Sequence, residues 1–313
     1  MKLSSYQVKN FLFLSKDIKK MKFIKTLKFV VPLILFVINS SNQCVAFGKI
    51  LFDDIEEAEC KKILKSFDGS LAKLPMSELI VEVGKKFLGT EYVGGTLDKN
   101  IKSEGLIIMV TGLDCVTFVE NVLVMSRLIK LNKLTFEDYK NELTKVRYRN
   151  GVIDGYPSRL HYFTDWIYDN QQKGIVSDIT ESIGGIPYDK RINFMSSHVN
   201  SYKQLQNNPD YLHQMELIED NLNTRQLFYI PKQQLKSYYD NLQNGDIIAT
   251  TTNIDGLDVT HTGLVFKENG RTYFMHANIK TKEVMITNDE LQEYLMSNSK
   301  QTGVIVARPF EIE

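Results

Sequence analysis

The chain has 313 residues, of which 43% are hydrophobic and 24% charged, and its 38 basic and 38 acidic side chains cancel. This composition is that of an ordinary globular protein, and nothing in it indicates disorder. It also lacks the basic excess that nucleic-acid binding requires, so we expect no nucleic-acid partner.

Residues 1–46 have the pattern of a secretory signal. A lysine-rich stretch precedes the apolar run from Phe29 to Ile38, and a polar segment that ends in Cys44-Val45-Ala46 follows it. A membrane-spanning helix takes about 20 apolar residues, and this run is shorter. We therefore expect cleavage and export to the periplasm or envelope, with membrane contact only through this segment.

Two alternatives concern the same segment. Met21 is a second possible start, because the residues from Met21 to Lys25 already form a basic leader. A lipid anchor at Cys44 ranks second to cleavage, since Ser41-Asn42-Gln43 lack the small apolar residues of a lipoprotein signal. Removal of residues 1–46 takes away eight lysines and one aspartate and leaves a net charge of minus seven.

The mature chain, residues 47–313, is predicted to be one domain whose first half is helical. Amphipathic helices are indicated at residues 56–64 and from Ser77, the predicted cap, to a stop at Gly89. A glycine-rich turn from Gly89 to Thr96 carries Tyr92, and an extended apolar run from Ile107 to Gly112 follows.

The next helix places Cys115 at its first turn. Apolar residues recur at helical spacing from Val116 to Ile129, and Asp114 is a natural N-cap. The free N–H groups and the helix dipole at this end favour an anion, so we expect a thiol shifted toward thiolate. A cysteine between apolar neighbours is more commonly a small buried residue, and in an exported protein Cys60 and Cys115 could also form a disulfide.

Two further helices are predicted, from Thr135 to Val146 and from Ser158 to Ile167. Residues 174–230 are interpreted as an insertion packed on the main body. The apolar period changes to two after Asn244, and five strands are predicted with a hairpin turn at residues 268–270. The strands are expected at residues 246–251, 259–266, 271–277, 283–286 and 303–308.

The distant partner of the thiol is a pair of histidines. His261 and His276 lie on two of these strands, joined by the short hairpin. Adjacent strands are about 4.8 Å apart, which lets one imidazole orient the other, and a nucleophilic thiol needs such a base. Each histidine alone could be structural, and zinc ligation by the three residues is a further alternative, although no CxxC or HxxxH spacing supports it.

Together these motifs resemble the NlpC/P60-type papain-like cell-wall hydrolases, over residues 77–308 apart from the middle. The resemblance rests on five stretches in order: 89–95, 113–115, 244–248, 261–265 and 274–277. Within that superfamily, residues 113–120 and the run from Arg159 to Ile167 resemble the DUF1460 group, described as N-acetylmuramoyl-L-alanine amidase-like.

The resemblance implies an α+β fold in which a helical segment with an N-terminal cysteine packs on a curved antiparallel sheet. It makes Cys115 the nucleophile, His261 the general base and His276 the orienting residue. Tyr92 matches a tyrosine over the family's cleft, and Asp114 matches the acidic neighbour of the nucleophile. Val116-Thr117 replaces the usual Ser-Gly, so the cleft wall beside the cysteine is expected to differ.

The predicted function is therefore hydrolysis of the N-acetylmuramoyl-L-alanine amide in peptidoglycan or its fragments, with no cofactor and no metal. Arg147, Arg149 and Arg159 surround the loop that follows the helix ending at Val146, and Arg159 is a candidate for binding substrate carboxylates, although all three could equally be surface charges or helix-end partners. The alternatives are a γ-D-glutamyl stem-peptide endopeptidase, a metallohydrolase and a non-catalytic envelope binding module.

Overall fold

The computed structural model describes residues 49–51, 53–98 and 103–313, so the predicted signal segment lies outside the described residues. The described residues fall within one compact unit, Ala46–Glu313. In this part of the chain, no helix combines the length and the apolar character needed to cross a bilayer.

Nine α-helices occur in the described ranges, and most lie in the first two thirds of the chain. They are α1 Asp54–Lys65, α2 Met76–Lys85, α3 Cys115–Leu131, α4 Phe136–Arg147, α5 Phe163–Gln172, α6 Phe194–Ser197, α7 Lys203–Gln206, α8 Pro209–Leu222 and α9 Leu291–Met296.

The described strands are β1 Lys49–Leu51, β2 Glu91–Tyr92, β3 Gly105–Ile107, β4 Gly112–Leu113, β5 Val176–Asp178, β6 Ile186–Pro187, β7 Phe228–Pro231, β8 Ile247–Thr252, β9 Val259–Glu268, β10 Arg271–Asn278, β11 Glu283–Ile286 and β12 Gln301–Pro309. β1 and β3 form a small parallel pair. The remaining strands form one sheet in the order β4-β2-β11-β10-β9-β8-β12-β7-β6, with β5 beside β12. Pairing is antiparallel except between β2 and β4, so the sheet is mixed and the fold class is α+β.

Helix α3 lies at the centre of the core. Every residue from Thr117 to Ile129 is buried, which is the behaviour of a helix enclosed on all sides. Its buried polar groups have partners: the Asn121 amide donates to the Met109 carbonyl at 3.0 Å, and the Glu120 carboxylate accepts from Arg147 at 2.7 Å. The helix packs against β9 and β10, so its N-terminus is fixed beside the strands that carry the histidines.

The five strands predicted after Asn244 are confirmed as β8 to β12, and the predicted hairpin turn joins β9 to β10. Asn269 and Gly270 both have positive φ, of 52° and 75°, as the tight two-residue turn requires. The N-cap predicted at Asp114 and the capping box predicted at Thr135 are confirmed, and Asp114 also forms a capping box with Thr117.

Two predicted helix starts are wrong. Ser77 does not cap α2, because the helix begins at Met76 and its N-cap is Pro75. The predicted Ser158–Ile167 helix begins only at Phe163: Arg159 is extended and forms a β-bridge with Tyr148, which holds this stretch out of the helix.

The segment 174–230 is more closely joined to the body than a packed insertion. Its ends supply strands to the main sheet, since β5 and β7 both pair with β12. Between them, α6, α7 and α8 form a separate hydrophobic cluster around residues such as Met195, Leu205 and Met215.

Candidate active site

Cys115 is the first residue of α3, and the sequence around it builds the helix start. Asp114 has an extended backbone and its carboxylate accepts from the Thr117 amide at 2.8 Å, while the Thr117 hydroxyl accepts from the Asp114 amide at 2.9 Å. The Asp114 and Thr117 side chains thus form a capping box at the start of the helix. The thiol is thereby held half-buried at the mouth of the helix.

His261 and His276 are in direct contact. Nε2 of His261 lies 2.6 Å from Nδ1 of His276, and the two rings are nearly perpendicular at 82°. Gly263 permits this approach, because a Cβ atom there would lie 2.6 Å from the Met275 carbonyl and 2.8 Å from the His276 Cβ. The predicted juxtaposition of the two imidazoles is therefore confirmed.

The strand that carries His261 also reaches the thiol. The backbone amide of Thr262, the next residue, acts on the Cys115 thiol together with the amides of Cys115 and Val116, and all three lower the pKa of the thiol. Burial and then the Asp114 carboxylate act in the opposite direction and dominate, raising the pKa of Cys115 to about 12. The expected shift toward thiolate is therefore wrong, because removal from water and a neighbouring anion outweigh the helix end.

Both histidines are uncharged at neutral pH. Burial lowers the pKa of His261 to about 4, and burial together with the nearby His261 lowers the pKa of His276 to about 2. In the resting site a neutral thiol therefore lies near a neutral imidazole pair. The neutral imidazole of His261 can accept a proton during the reaction, although no thiolate–imidazolium ion pair exists beforehand.

Two tyrosines border the thiol. Tyr92, on β2, lies against Gly94, where a Cβ atom would be 3.4 Å from the tyrosine ring. Burial and the proximity of Cys115 raise the pKa of Tyr92 to about 12, and the same two causes raise that of Tyr294 to about 12. Sequence reasoning missed Tyr294, which lies on the short helix α9 outside every motif.

Tyr294 also helps to fix His276. Its ring meets the His276 ring edge-on, with centroids 4.9 Å apart, and Phe274 stacks on the His276 ring at 4.7 Å and 20°. His276 is fully buried, and its Nε2 has no hydrogen-bond partner among the described residues. Aromatic packing, together with the single bond to His261, therefore holds this imidazole in place.

The three arginines near the site are already paired with carboxylates of the protein. Arg147 bonds to Glu120 at 2.7 Å, and Arg149 pairs with Asp165. Arg159 contacts Asp98 at 2.6 Å and Glu104 at 3.2 Å. Substrate binding by Arg159 thus stays a prediction, and it would require sharing or exchange of a carboxylate.

A cavity of about 220 Å³ adjoins the N-terminus of α3. Asp114 and Val116, the two neighbours of Cys115 in the chain, both line this cavity. The other walls include Asp98, Tyr156, His161, Met195 and Tyr202.

The cysteines are not joined, since Cys60 and Cys115 are both free thiols. Cys60 is fully buried under α4, and burial raises its pKa to about 12. No group of three or more histidine, cysteine, aspartate or glutamate side chains in the described ranges is arranged to hold a metal ion.

A half-buried thiol at the start of a core helix, beside a hydrogen-bonded histidine pair and a cavity, has the geometry of a hydrolase site with a nucleophile and a base. Comparison with known families agrees. Residues 82–304 match the AmiA-like family, described as N-acetylmuramoyl-L-alanine amidase-like, and the chain belongs to this family. This membership supports a cell-wall amidase and confirms the resemblance to the N-acetylmuramoyl-L-alanine amidase-like group. No curated protein matches the chain.

Solved structures resemble the chain over most of its length. An N-acetylmuramoyl-L-alanine amidase from Bacteroides uniformis is 36% identical, with a TM-score of 0.72 over 75% of this chain and 99% of that one. A Bacteroides fragilis protein provisionally named a xylanase is 35% identical, with a TM-score of 0.67 over 72% and 99%. LPG0564 from Legionella pneumophila, of the DUF1460 family, is 21% identical, with a TM-score of 0.63 over 82% and 95%, and shares the fold.

Proposed function

We propose that the protein is an exported cysteine amidase that hydrolyses the amide between N-acetylmuramic acid and L-alanine in peptidoglycan or its fragments. The observation that carries the proposal is the 2.6 Å contact between His261 and His276. His261 is joined in the chain to Thr262, whose backbone amide acts on the Cys115 thiol. The choice of substrate is supported by the name of the amidase-like family and by the similarity to the Bacteroides uniformis amidase. The fold is proposed to be of the papain-like NlpC/P60 type.

The chemistry begins from neutral groups. As the thiol sulfur attacks the lactyl carbonyl carbon, Nδ1 of His261 takes the thiol proton, and the carbonyl oxygen becomes an oxyanion. The Cys115 amide and Tyr92 are proposed to donate to that oxygen. His261 then gives its proton to the departing alanine nitrogen, the carbon–nitrogen bond breaks, and a thioester remains on Cys115.

Water completes the cycle. His261, neutral again, takes a proton from a water molecule while the water oxygen attacks the thioester carbon. The carbon–sulfur bond then breaks, and His261 returns the proton to the Cys115 sulfur. His276 is a positioning residue throughout: it accepts from Nε2–H of His261 in both the neutral and the charged state, so no change of tautomer is needed. Asp114 and Arg159 are proposed to contact substrate beside the nucleophile.

Digestion of purified muropeptides by residues 47–313, with products identified by mass spectrometry, tests the proposal. The amidase should release an intact stem peptide and a sugar that retains its lactyl carboxylate, and Cys115→Ala should release neither. A cut after D-glutamate would replace the amidase with the γ-D-glutamyl endopeptidase. Loss of activity in chelator but not in a thiol reagent would indicate a metallohydrolase, and inactivity of the wild type on all muropeptides would favour the binding module.

A further inference from the structure

The turn that follows the strand of His276 is tied to both sides of the site. β10 ends at Asn278, and residues 279–282 form an exposed turn into β11. The Asn278 carbonyl accepts from the Lys282 amide at 2.8 Å, and the Lys282 carbonyl accepts from the Tyr92 amide, also at 2.8 Å. Lys282 is therefore held at a fixed position between the strand of His276 and the tyrosine that borders the thiol.

Lys282 has a backbone conformation that does not suit a lysine. Its φ of 67° is left-handed, which brings the Cβ atom of an ordinary side chain too close to the backbone. The other non-glycine residues with positive φ in the described ranges are all asparagines, a residue type that tolerates this conformation: Asn132, Asn150 and Asn269. Strained positions are concentrated at functional sites, so the lysine side chain is the feature that needs a reason.

The Lys282 ammonium group lies beside the site. Its Nζ is 5.8 Å from the centroid of the Tyr92 ring, within the range of a cation–π contact. No ion pair joins it to a carboxylate in the part of the chain that the structure describes. Glu91 and Glu283 pair across β2 and β11, and because side chains alternate along a strand, both lie on the opposite face of the sheet from Tyr92.

The arginines near the thiol, in contrast, already contact carboxylates of the protein: Arg147, Arg149 and Arg159. A substrate carboxylate would have to displace one of those partners, whereas binding at Lys282 displaces no carboxylate of the described chain. Asp114, which is close to Tyr92, is itself engaged, since its Oδ1 accepts from the Thr117 amide and from the Thr117 hydroxyl, both at 2.8 Å. Lys282 is therefore the cation beside Tyr92 that can receive an anion.

The proposed substrate carries its negative charge on one side of the scissile bond. In the amide, the lactyl carboxyl of the muramoyl group is uncharged, whereas the stem peptide has free carboxylates. The first of these belongs to D-glutamate, the second residue of the stem, because its γ-carboxyl continues the chain and its α-carboxyl stays free. Two extended residues span about 7 Å, which is the scale of the separation between Tyr92 and the Lys282 ammonium.

We propose that Lys282 binds the α-carboxylate of D-glutamate in the leaving stem peptide, and that this contact makes the enzyme prefer the free acid to its α-amidated form. The inference rests on the proposed function. Because the turn is hydrogen-bonded to Tyr92 and follows the strand of His276, a peptide held there has its scissile amide beside the thiol. The charge of the side chain is then the reason why a lysine occupies a strained position.

Two substrates that differ in one group test this assignment: N-acetylmuramoyl-L-alanyl-D-glutamate and N-acetylmuramoyl-L-alanyl-D-isoglutamine, each with its γ-carboxyl blocked as the methylamide. The wild type should cleave the acid with a kcat/KM about fivefold higher than that of the amide, the upper end for a solvent-exposed ion pair. This preference should decline as NaCl is raised from about 50 to 500 mM, since salt screens exposed charges. Lys282→Asn should bring the preference close to one through a higher KM for the acid, and Lys282→Arg should retain it.

A stability measurement separates this role from a structural one. Asparagine suits the left-handed backbone, so Lys282→Asn should unfold at a urea concentration at least as high as the wild type does, although its selectivity is lost. Lys133→Asn is the matched control and should leave the preference unchanged. Lys133 is also an exposed lysine, but it follows the 17-residue helix α3, whose length of about 25 Å separates it from Cys115.

An equal preference in the wild type and in Lys282→Asn would overturn the inference, as would a preference that Arg159→Lys abolishes and Lys282→Asn does not. Calorimetry with the acid substrate, comparing Cys115→Ala with Cys115→Ala/Lys282→Asn, measures the contact without catalysis. Binding that is about fivefold weaker in the double variant supports the contact even if the wild type cleaves neither substrate, a result that would count against the proposed function alone. Equal binding to the two variants, or none to either, overturns the contact whether or not the amide is cleaved.

Discussion

His261 and His276 meet through one short contact, with 2.6 Å between Nε2 of the first and Nδ1 of the second. If Nδ1 of His261 is to receive the thiol proton, the neutral ring must carry its proton on Nε2 and donate to His276. His276 then carries its own proton on Nε2, which is buried and unpaired among the described residues. The buried, unpaired Nε2–H of His276 therefore costs free energy, and this arrangement keeps His261 in a single tautomer.

The nucleophile can be tested against a matched cysteine. Cys115→Ala should lower amidase activity by about three orders of magnitude or more, because it removes the thiol of the proposed nucleophile. Cys60→Ala should keep wild-type activity, since Cys60 is fully buried on α1 and has no part in the proposed mechanism, and should lose only about 1 kcal/mol of stability. Comparable activity in Cys115→Ala and the wild type would remove Cys115 from the mechanism.

The pH dependence of kcat/KM should reflect the protonation of His261. A pKa of about 4 for His261 means that the imidazole is neutral, and able to accept a proton, at all pH values above that. With the pKa of Cys115 raised to about 12, no thiolate forms in the working range, so kcat/KM should be flat from about pH 5 to 8 and fall below pH 5. A rate that rises by tenfold per pH unit toward pH 9 would show instead that a preformed thiolate is required.

Gly263 should be indispensable for the histidine contact. A methyl group at this position would meet the Met275 carbonyl at 2.6 Å, so Gly263→Ala must push β9 and β10 apart. We expect a loss of about 1–3 kcal/mol in stability and about 10²-fold in activity. Gly69→Ala is the control: it has nothing within 4 Å and should leave both quantities unchanged. A fully active Gly263→Ala protein would mean that the close strand approach is dispensable.

Tyr294 should act through its ring. Tyr294→Ala removes the surface that meets His276 edge-on, and the freed imidazole should lower kcat by about tenfold with little change in KM. Tyr294→Phe keeps the ring and should restore the rate. If Tyr294→Phe is as slow as Tyr294→Ala, the hydroxyl near Cys115 contributes directly and the packing role is insufficient.

His276 should make the fold sensitive to acid. Its pKa is lowered to about 2 in the folded protein and returns to about 6.5 on unfolding, so below pH 6.5 only the unfolded chain takes up the proton. Stability from this group is thus complete above pH 6.5 and declines as the pH falls. Between pH 7 and 5 the wild type should lose roughly 1–2 kcal/mol more than His276→Asn, as measured by urea unfolding. Equal losses would show that His276 is readily protonated in the fold.

Local sequence patterns predicted the elements that position the thiol and the histidines. Asp114 and Thr135 were recognisable caps because capping depends on neighbours three residues apart. The alternation of the last five strands likewise placed His261 beside His276. These features are encoded within short windows of the chain, where spacing alone is informative.

The remainder depends on contacts between distant residues. The stretch after Ser158 has helical spacing, yet Arg159 is held extended by Tyr148 and by carboxylates at positions 98 and 104. The raised pKa of Cys115 arises from burial, which the helix position does not reveal. Tyr294 lies 179 residues beyond Cys115 on a helix of six residues, and only the folded chain brings its ring to the site.

The burial of α3 on every side has a consequence for motion. A helix enclosed by core has no low-energy partial opening, so its backbone amides should exchange with solvent deuterium only when the whole domain unfolds. The helix that presents Cys115 is thus expected to be among the slowest-exchanging segments of the protein, while substrate access depends on the surrounding loops and walls.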